Sequence, residues 1–274
     1  MRHYAVNINC TPEYTEVFIA LLAELGYESF EEQEHGLTAY IEERLFDETQ
    51  LIDLLAERNG LHSGYTHELI PEKNWNEEWE RNFEPVVINE QCRIRAPFHS
   101  ADESYLYEVV IQPKMSFGTG HHSTTRLMMQ RMLQFNFDGK KVLDFGSGTG
   151  VLAVLAAKLG AQLIDVVDND EWAFDNSTEN FQLNNVQSMI GTKTLSLAGI
   201  GHTTYDIILA NINKNILLEY MNQLAGMMQT ESYLLLSGFF EHDVEEITTE
   251  ARKAGLNFVD LSTENNWAVV TLTK

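Results

Sequence analysis

Polar and apolar residues over positions 1–70 follow the pattern of a small mixed domain. The pattern predicts a strand, a helix, two strands joined by a turn at His35-Gly36, a second helix and a final strand. Asp47 stands where the cap of the second helix is expected. This order of elements is that of ferredoxin-like α+β domains. The residues predicted to form the buried faces of the two helices are Val17, Phe18, Leu21, Leu22, Leu25, Leu51, Ile52, Leu54 and Leu55.

From residue 116 onward, short apolar runs alternate with amphipathic stretches. Such alternation predicts a mostly parallel sheet with helices on both faces, the Rossmann-like α/β arrangement. A last apolar run at 267–273 follows without an intervening helix, so we expect it to lie antiparallel to its neighbour. The other strands are predicted at 141–145, 163–167, 205–210, 233–237 and 256–261, and the helices at 151–159, 171–184, 214–228 and 243–254.

The stretch between these two regions shows only weak periodicity. Trp75 and Trp79 lie four positions apart, which places them on one face of a helix, where they would plug the junction between domains. Short strands are predicted at 86–88, 92–96 and 107–111. We therefore predict a ferredoxin-like domain at 1–70, a linker and extension with short strands at 71–115, and an α/β domain at 116–274.

The composition is that of an ordinary globular chain. The 274 residues are 44% hydrophobic and 22% charged. The longest apolar runs fall well short of the roughly 20 residues that a membrane helix requires, and no apolar stretch of signal-peptide length follows Met1. Cys10 and Cys92 lack a CxxC partner, which disfavours a disulfide scaffold or a zinc–thiolate site. The sequence thus predicts a cytoplasmic protein without a membrane segment.

Acidic residues dominate and are concentrated at the N-terminal end. The chain has 41 acidic and 18 basic residues, a net charge of −23, and residues 1–70 alone hold 14 acidic and three basic residues. Binding to phosphates requires a basic surface, so sequence-specific recognition of nucleic acid is not expected. An RNA-binding sheet would also need exposed aromatic residues. We expect residues 1–70 to bind a basic protein, and the alternative is that the acidity only keeps the protein soluble. Because no exposed apolar stripe stands out, we expect the chain to be a monomer.

A glycine-rich loop runs from Asp144 through Gly146, Gly148 and Gly150, where a predicted strand turns into a helix. Glycines let the backbone approach a ligand, and the free N–H groups of a helix start favour an anion. The spacing differs from the GxGxxG of dinucleotide enzymes. Asp-x-Gly-x-Gly-x-Gly is instead typical of S-adenosylmethionine (SAM) enzymes, in which the helix start meets the methionine carboxylate. The alternatives are a nicotinamide-dependent oxidoreductase, which would also need a proton donor, and a tight turn without a ligand.

An acidic residue follows the next predicted strand. Asp168 lies 18 residues beyond Gly150. A carboxylate at that place can accept hydrogen bonds from both hydroxyls of a ribose, in NAD as well as in SAM. Asp170 is the alternative, although we interpret it as the N-cap of the following helix.

An asparagine ends the predicted strand at 205–210. Asn211 stands in the sequence Ala210-Asn211-Ile212, and ligands bind outside the carboxyl ends of such strands. Its amide oxygen could accept a hydrogen bond from an amine and so aim the lone pair of that amine at a methyl group. The alternative is a turn asparagine that is bonded to its own backbone.

A second loop, Phe117–Thr125, precedes the helix that leads into the sheet. Gly118 and Gly120 permit close approach of the backbone, and the hydroxyls of Thr119, Thr124 and Thr125 could bind a ligand. His121 and His122 are adjacent and have no supporting cysteine or carboxylate at a known spacing, so we do not predict a metal site.

Together these motifs resemble those of the PrmA family, bacterial methyltransferases of ribosomal protein eleven of the large subunit. The resemblance extends through the tryptophans of the linker, whereas over residues 1–70 only the predicted order of elements agrees. The matching motifs are Phe-Gly-Thr-Gly-x-His-x-Thr-Thr at 117–125, Asp-Phe-Gly-x-Gly-x-Gly at 144–150, the acid at 168, Ala-Asn-Ile at 210–212 and Leu-Ser-Gly at 236–238.

The resemblance implies a class I SAM-dependent methyltransferase domain, with Asn211 positioning the amine that is methylated. The implied substrate is lysine side-chain or N-terminal amines of the basic ribosomal protein, captured by the acidic N-terminal domain. Methylation of another protein, methylation of a base amine in nucleic acid, and a non-catalytic binding module are the alternatives. Base-amine enzymes typically have aromatic and proline residues after the asparagine, whereas this chain has Ile212-Asn213-Lys214. The residues predicted to contact the cofactor are Phe117, Gly118, Thr119, Thr125, Asp144, Gly146, Gly148, Asp168 and Asn211.

Overall fold

The computed structural model describes residues 2–70, 83–114, 118–201 and 203–274. Contacts divide the chain into two compact units, Met1–Asn82 and Phe83–Lys274. The division falls between the two boundaries that the sequence suggests, near residues 70 and 116. Trp75 and Trp79 lie outside the described residues.

The first unit is a four-stranded antiparallel sheet with two helices. Its strand order is β2-β3-β1-β4. Asp47 caps the second helix, because its carboxylate accepts hydrogen bonds from the N–H groups of Thr49 and Gln50. The elements are β1 (His3–Cys10), α1 (Pro12–Glu24), β2 (Ser29–Gln33), β3 (Gly36–Glu42), α2 (Glu48–Glu57) and β4 (His62–Ile70).

The core of this unit contains fewer helix residues than the sequence predicts. Phe18 of α1 and Leu51 of α2 are fully buried in it. Val17 and Ile52, predicted to be buried, are instead 43% and 47% exposed. Each is the direct neighbour of a core residue, and a step of one residue rotates a helical side chain by about 100°. The prediction for these two residues is therefore wrong.

A three-stranded sheet opens the second unit. Strands β5 (Val86–Asn89) and β6 (Cys92–Arg95) are antiparallel, and β7 (Tyr107–Val110) lies parallel to β6. Their buried side chains share one hydrophobic cluster with the helices at 123–132 and 151–158. Residues 83–114, predicted as part of the linker and extension, thus pack within the second unit.

A seven-stranded sheet forms the centre of this unit, with the order β10-β9-β8-β11-β12-β14-β13. Its strands are β8 (Lys141–Phe145), β9 (Leu163–Val167), β10 (Ile190–Thr194), β11 (Tyr205–Asn211), β12 (Met228–Phe240), β13 (Asn257–Glu264) and β14 (Trp267–Thr273). The helices are α3 (Ser123–Met132), α4 (Val151–Lys158), α5 (Glu171–Leu183), α6 (Lys214–Gly226) and α7 (Val244–Lys253).

The first five strands in that order are parallel, and β14 is antiparallel to both of its neighbours. This confirms the predicted α/β fold with a reversed last strand. Successive strands β8, β9 and β10 move towards one edge of the sheet, and β11 then returns to the other side of β8. The carboxyl ends of β8 and β11 therefore flank the switch point at which α/β folds bind their ligands.

Two hydrophobic clusters cover the two faces of this sheet. Alternate residues of β11 enter different clusters, with Ile207 and Leu209 on the side of α3, α4 and α5 and Ile208 on the side of α6 and α7. Both faces of the sheet are thus covered, and the polar residues at its strand ends are the ones that a ligand can reach. None of the helices in the described parts of the chain is long and apolar enough to cross a membrane.

Candidate active site

The loop between β8 and α4 follows a path that requires glycine. The φ angles of Gly146, Gly148 and Gly150 are 80°, 52° and 76°, in the left-handed region that side chains disfavour. Neighbouring side chains also leave no room. A Cβ atom at Gly146 would lie 2.0 Å from Cγ2 of Ile212, and one at Gly150 would lie 2.6 Å from Cε1 of Phe181. The loop Gly146–Gly150, called the cradle below, therefore requires glycine and leads directly into α4.

Asp168 lies directly after β9 and holds this loop. Its Oδ2 accepts a hydrogen bond from the N–H of Gly148 at 2.6 Å, and its Oδ1 accepts one from the N–H of Asp170 at 3.0 Å. Each carboxylate oxygen has a second lone pair for a ligand hydroxyl. Asp170 accepts from the N–H of Trp172 at 2.8 Å and is the N-cap of α5, as predicted.

The loop that contains Gly118 packs against the glycine loop of β8. The hydroxyl of Thr149 donates a hydrogen bond to the carbonyl oxygen of Gly118 at 2.7 Å. A Cβ atom at Gly118 would lie 2.6 Å from that hydroxyl, and one at Gly120 would lie 2.3 Å from Cδ1 of Ile94. The Oγ1 of the neighbouring Thr119 lies 3.3 Å from Nδ1 of His121. Phe117 lies outside the described residues.

Thr125 lies in the first turn of α3 and is completely buried. Its hydroxyl oxygen has no hydrogen-bond partner. The neighbouring Thr124 differs, since its hydroxyl lies 2.8 Å from Nδ1 of His122, the cap residue of the helix. Within the described parts of the chain, no three histidine, cysteine or acidic side chains come together as a metal site.

Asn211 is the last residue of β11 and is 8% exposed. Its Oδ1 is buried and has no hydrogen-bond partner. The local turn is served by a different residue, because Asn213 caps α6 by accepting from the N–H of Ile216 at 3.2 Å. The amide oxygen of Asn211 is thus left available to a ligand.

The motif around Asn211 contacts the glycine loop through Ile212. One side of Ile212 lies against Gly146, as described above, and its carbonyl oxygen would lie 2.1 Å from a Cβ atom at Gly238. The N–H of Ile212 donates to the carbonyl oxygen of Ser237 at 3.1 Å. Three motifs that are distant in the sequence thus meet at the carboxyl ends of β8, β11 and β12.

Buried polar side-chain atoms without a partner are concentrated at this edge. Buried polar groups in proteins are normally hydrogen bonded, and an exception indicates a missing ligand or water. In the described residues the exceptions are Thr125 Oγ1, Asp144 Oδ1, Asn211 Oδ1, Tyr27 OH and His62 Nδ1. The first three belong to residues that the sequence predicts for the site. The glycine loop, the carboxylate of Asp168 and the unpartnered oxygens of Thr125 and Asn211 fit a ligand with hydroxyl, amino and carboxylate groups.

Asp144 lies in β8, two residues before Gly146, and is bonded to the helix that follows the glycine loop. Its side chain is fully buried, and its Oδ2 accepts a hydrogen bond from the N–H of Ala153 at 3.1 Å. Burial raises the pKa of this carboxyl group to about 7. The predicted direct contact of Asp144 with a cofactor stays a prediction.

The raised pKa of Asp144 predicts a stability that depends on pH. The folded-state value of about 7 exceeds the ordinary value of 3.8, so between these values the folded chain holds the extra proton and stability falls as pH rises. Asparagine does not titrate, so the variant Asp144→Asn should not lose this stability as pH rises. We expect the free energy of unfolding of Asp144→Asn, relative to wild type, to increase by on the order of 4 kcal/mol from pH 4 to pH 7. Urea unfolding of both proteins across this pH range measures the two free energies. A difference between them that stays constant with pH would contradict the raised pKa of Asp144.

Sequence reasoning missed several residues of the site. Thr149 and Ile212 act through contacts between distant loops, which no local pattern reveals. Trp267 is stacked on Phe240 with ring centroids 4.1 Å apart and contacts the ring of His122 at 4.7 Å, so it lines the same strand-end edge. For the buried asparagines of α5 a signal existed, since Asn176, Asn180 and Asn184 recur every four residues on a helix.

Comparison with known proteins places this architecture among named relatives. The family model Ribosomal protein L11 methyltransferase (PrmA) matches residues 4–274. A ribosomal protein L11 methyltransferase of Bacteroides thetaiotaomicron is 42% identical over 267 residues, which are 96% of this chain and 95% of that protein. The protein of the same name from Chlorobaculum tepidum is 34% identical over 274 residues, 97% of this chain and 94% of that one.

A solved structure shares the fold. The ribosomal protein L11 methylase of Lactobacillus delbrueckii subsp. bulgaricus superimposes with a TM-score of 0.64 at 22% sequence identity, over 70% of this chain and 99% of that chain.

Proposed function

Because the chain belongs to the ribosomal protein L11 methyltransferase (PrmA) family, we propose that it methylates lysine side-chain or N-terminal amines of ribosomal protein L11. The family that the motifs of the sequence suggest is thereby confirmed, and with it a SAM-dependent methyltransferase. The choice of L11 rests on the names of the relatives. We further propose that the enzyme acts as a monomer in the cytoplasm and does not bind nucleic acid in a sequence-specific way.

The observation that carries the proposal is the set of free buried acceptors around the glycine cradle. Thr125 Oγ1 and Asn211 Oδ1 are buried, unpartnered and located on α3 and β11, two elements that contact each other. When bound, SAM supplies a methyl group on a positively charged sulfur. The backbone of the glycine loop and the start of α4 would hold its carboxylate, and Asp168 would accept hydrogen bonds from its ribose hydroxyls.

Asn211 would bind the amine that is methylated. Its Oδ1 can accept one N–H of a neutral amine, which fixes the direction of the lone pair. A free lysine amine has a pKa of about 10.4 and must lose a proton first. Burial at the site disfavours the charged form, so the proton leaves to solvent as the amine enters. Asp144 is not placed to take it, because its carboxyl group is fully buried and bonded to the N–H of Ala153.

The acidic N-terminal unit would capture the basic substrate by long-range attraction. Residues 1–70 hold 14 acidic and three basic residues, and such an imbalance speeds the encounter with a basic protein. We expect kcat/KM for L11 to fall about tenfold between roughly 0.05 M and 0.5 M salt, because the Debye length shortens, while the Kd for SAM changes little. Initial rates at increasing salt measure it. A constant kcat/KM would contradict electrostatic capture.

The substrate class is tested by competition between protein and RNA. Ribosomal proteins and ribosomal RNA from ribosomes of a strain without this enzyme are incubated together with methyl-labelled SAM and wild-type enzyme. Label confined to one basic protein supports the proposal. Label in the RNA would favour methylation of a base amine instead.

A further inference from the structure

Three buried asparagines, two within α5 and one at its C-cap, follow one face of the helix next to the glycine loop. Asn176, Asn180 and Asn184 are spaced by four residues and are almost completely buried. Polar side chains in such a position cost free energy unless they are hydrogen bonded. The partners of two of them identify what the helix holds.

Asn184 binds the end of strand β7. Its Oδ1 accepts a hydrogen bond from the N–H of Val110 at 2.9 Å, and its Nδ2 donates to the carbonyl oxygen of the same residue at 2.6 Å. The side chain thus pairs with both backbone groups of Val110, as a neighbouring strand would. Its Nδ2 also donates to the carbonyl oxygen of Asn180 at 2.8 Å, so Asn184 attaches this segment to α5 but forms no hydrogen bond with the glycine loop.

Asn180 connects the same segment to the glycine loop. Its Oδ1 accepts from the N–H of Gln112 at 2.7 Å, and its Nδ2 donates to the carbonyl oxygen of Thr149 at 2.8 Å. Both bonds come from one rigid, fully buried amide group. A shift of Gln112 must therefore move the amide and, with it, the peptide group of Thr149.

The peptide groups next to Thr149 form the cradle of the cofactor. Asp168 fixes Gly148 from one side through the 2.6 Å bond described above, and the Thr149 hydroxyl is bonded to Gly118. Backbone bonds to Val167 hold the start of the loop, and Asn180 adds a side-chain bond to the Thr149 carbonyl oxygen. Without Asn180, the carbonyl oxygen of Thr149 would lose a buried hydrogen-bond donor that no other described side chain replaces.

We propose that Asn180 is a positioning residue for SAM binding, which couples the segment Val110–Gln112 to the glycine loop. The inference rests on the proposed function, because SAM is taken as the ligand of that loop. Coupling between two sites is reciprocal. SAM binding should therefore steady the segment, and loosening the segment should weaken SAM binding.

The first test compares SAM affinity between two matched variants by calorimetric titration. Asn180→Ala should raise the Kd for SAM about tenfold, because the loop has lost a buried hydrogen bond, and leave kcat at saturating SAM within about twofold. Asn184→Ala removes the buried amide that binds the same segment from the C-cap of the same helix, and should change the Kd less than about threefold. Equal effects of the two variants would overturn the proposal.

The second test uses hydrogen exchange of the segment. In wild type, SAM should slow exchange of the Val110 N–H, and in Asn180→Ala this slowing should be absent. Exchange that responds to SAM equally in both proteins would overturn the coupling. Should the alanine variant fail to fold, Asn180→Asp replaces it, since it keeps the acceptor for Gln112 and removes the donor to Thr149. Failure of wild type to bind SAM would instead contradict the proposed function itself.

Discussion

Replacing Asp168 with alanine is expected to weaken SAM binding about a hundredfold or more. The variant loses the charged acceptor for two ribose hydroxyls, and hydrogen bonds to charged groups contribute about 1.5–3 kcal/mol each. It also frees the N–H of Gly148, which Asp168 holds at 2.6 Å. Calorimetric titration of SAM into wild type and variant measures the change in Kd.

The neighbouring Asp170 provides the control for this experiment. It carries the same side chain two positions along, but its carboxylate caps α5 through the N–H of Trp172. Asp170→Ala should lower stability by about 1 kcal/mol and leave the Kd for SAM within a few-fold. If Asp168→Ala bound SAM as tightly as Asp170→Ala does, the assignment of the ribose site to Asp168 would be wrong.

Replacing Asn211 with alanine is expected to have the largest effect on turnover. Without Oδ1 the amine is no longer oriented, and lost positioning of a reacting group costs about a hundredfold to a thousandfold in rate. We expect kcat/KM for L11 to fall by that amount, while the Kd for SAM rises less than about tenfold. Steady-state rates and SAM titration together separate the two effects.

Asn213 is the matched control for Asn211. It is the same residue type two positions along the chain, but it is exposed and serves as the cap of α6. Asn213→Ala should cost about 1 kcal/mol of stability and keep near-normal turnover. An Asn211→Ala enzyme with the kcat of Asn213→Ala would exclude Asn211 as the residue that positions the amine.

The sequence predicts most of the large sheet because its strands are buried on both faces. Strands such as β8 (Lys-Val-Leu-Asp-Phe) and β9 (Leu-Ile-Asp-Val-Val) are mostly apolar, and their observed bounds, Lys141–Phe145 and Leu163–Val167, match the predicted ones. Strand β10 was missed, since Ile190-Gly-Thr-Lys-Thr has one apolar residue and lies at the edge of the sheet. Its position depends on pairing with β9, which no local pattern encodes.

In the candidate site, too, residues required by the local backbone could be predicted from the sequence, whereas contacts between distant segments could not. Gly146 and Gly148 could be predicted, because left-handed backbone favours glycine wherever the loop lies. That the amide oxygen of Asn211 has no hydrogen-bond partner could only be proposed, because the sequence does not tell whether Asn211 or Asn213 serves the turn. Thr149 and Ile212 were missed because their contacts join loops that are far apart along the chain. The roles given to these residues stay predictions until the variants are measured.

The central claim is tested most directly by methyl transfer to purified L11. Wild-type enzyme, SAM and unmodified L11 are incubated, and intact-mass and peptide mass spectrometry locate the added methyl groups. We expect methyl groups on lysine side-chain or N-terminal amines of L11, and almost none with Asn211→Ala. Enzyme that binds SAM yet leaves L11 unmodified would contradict the account.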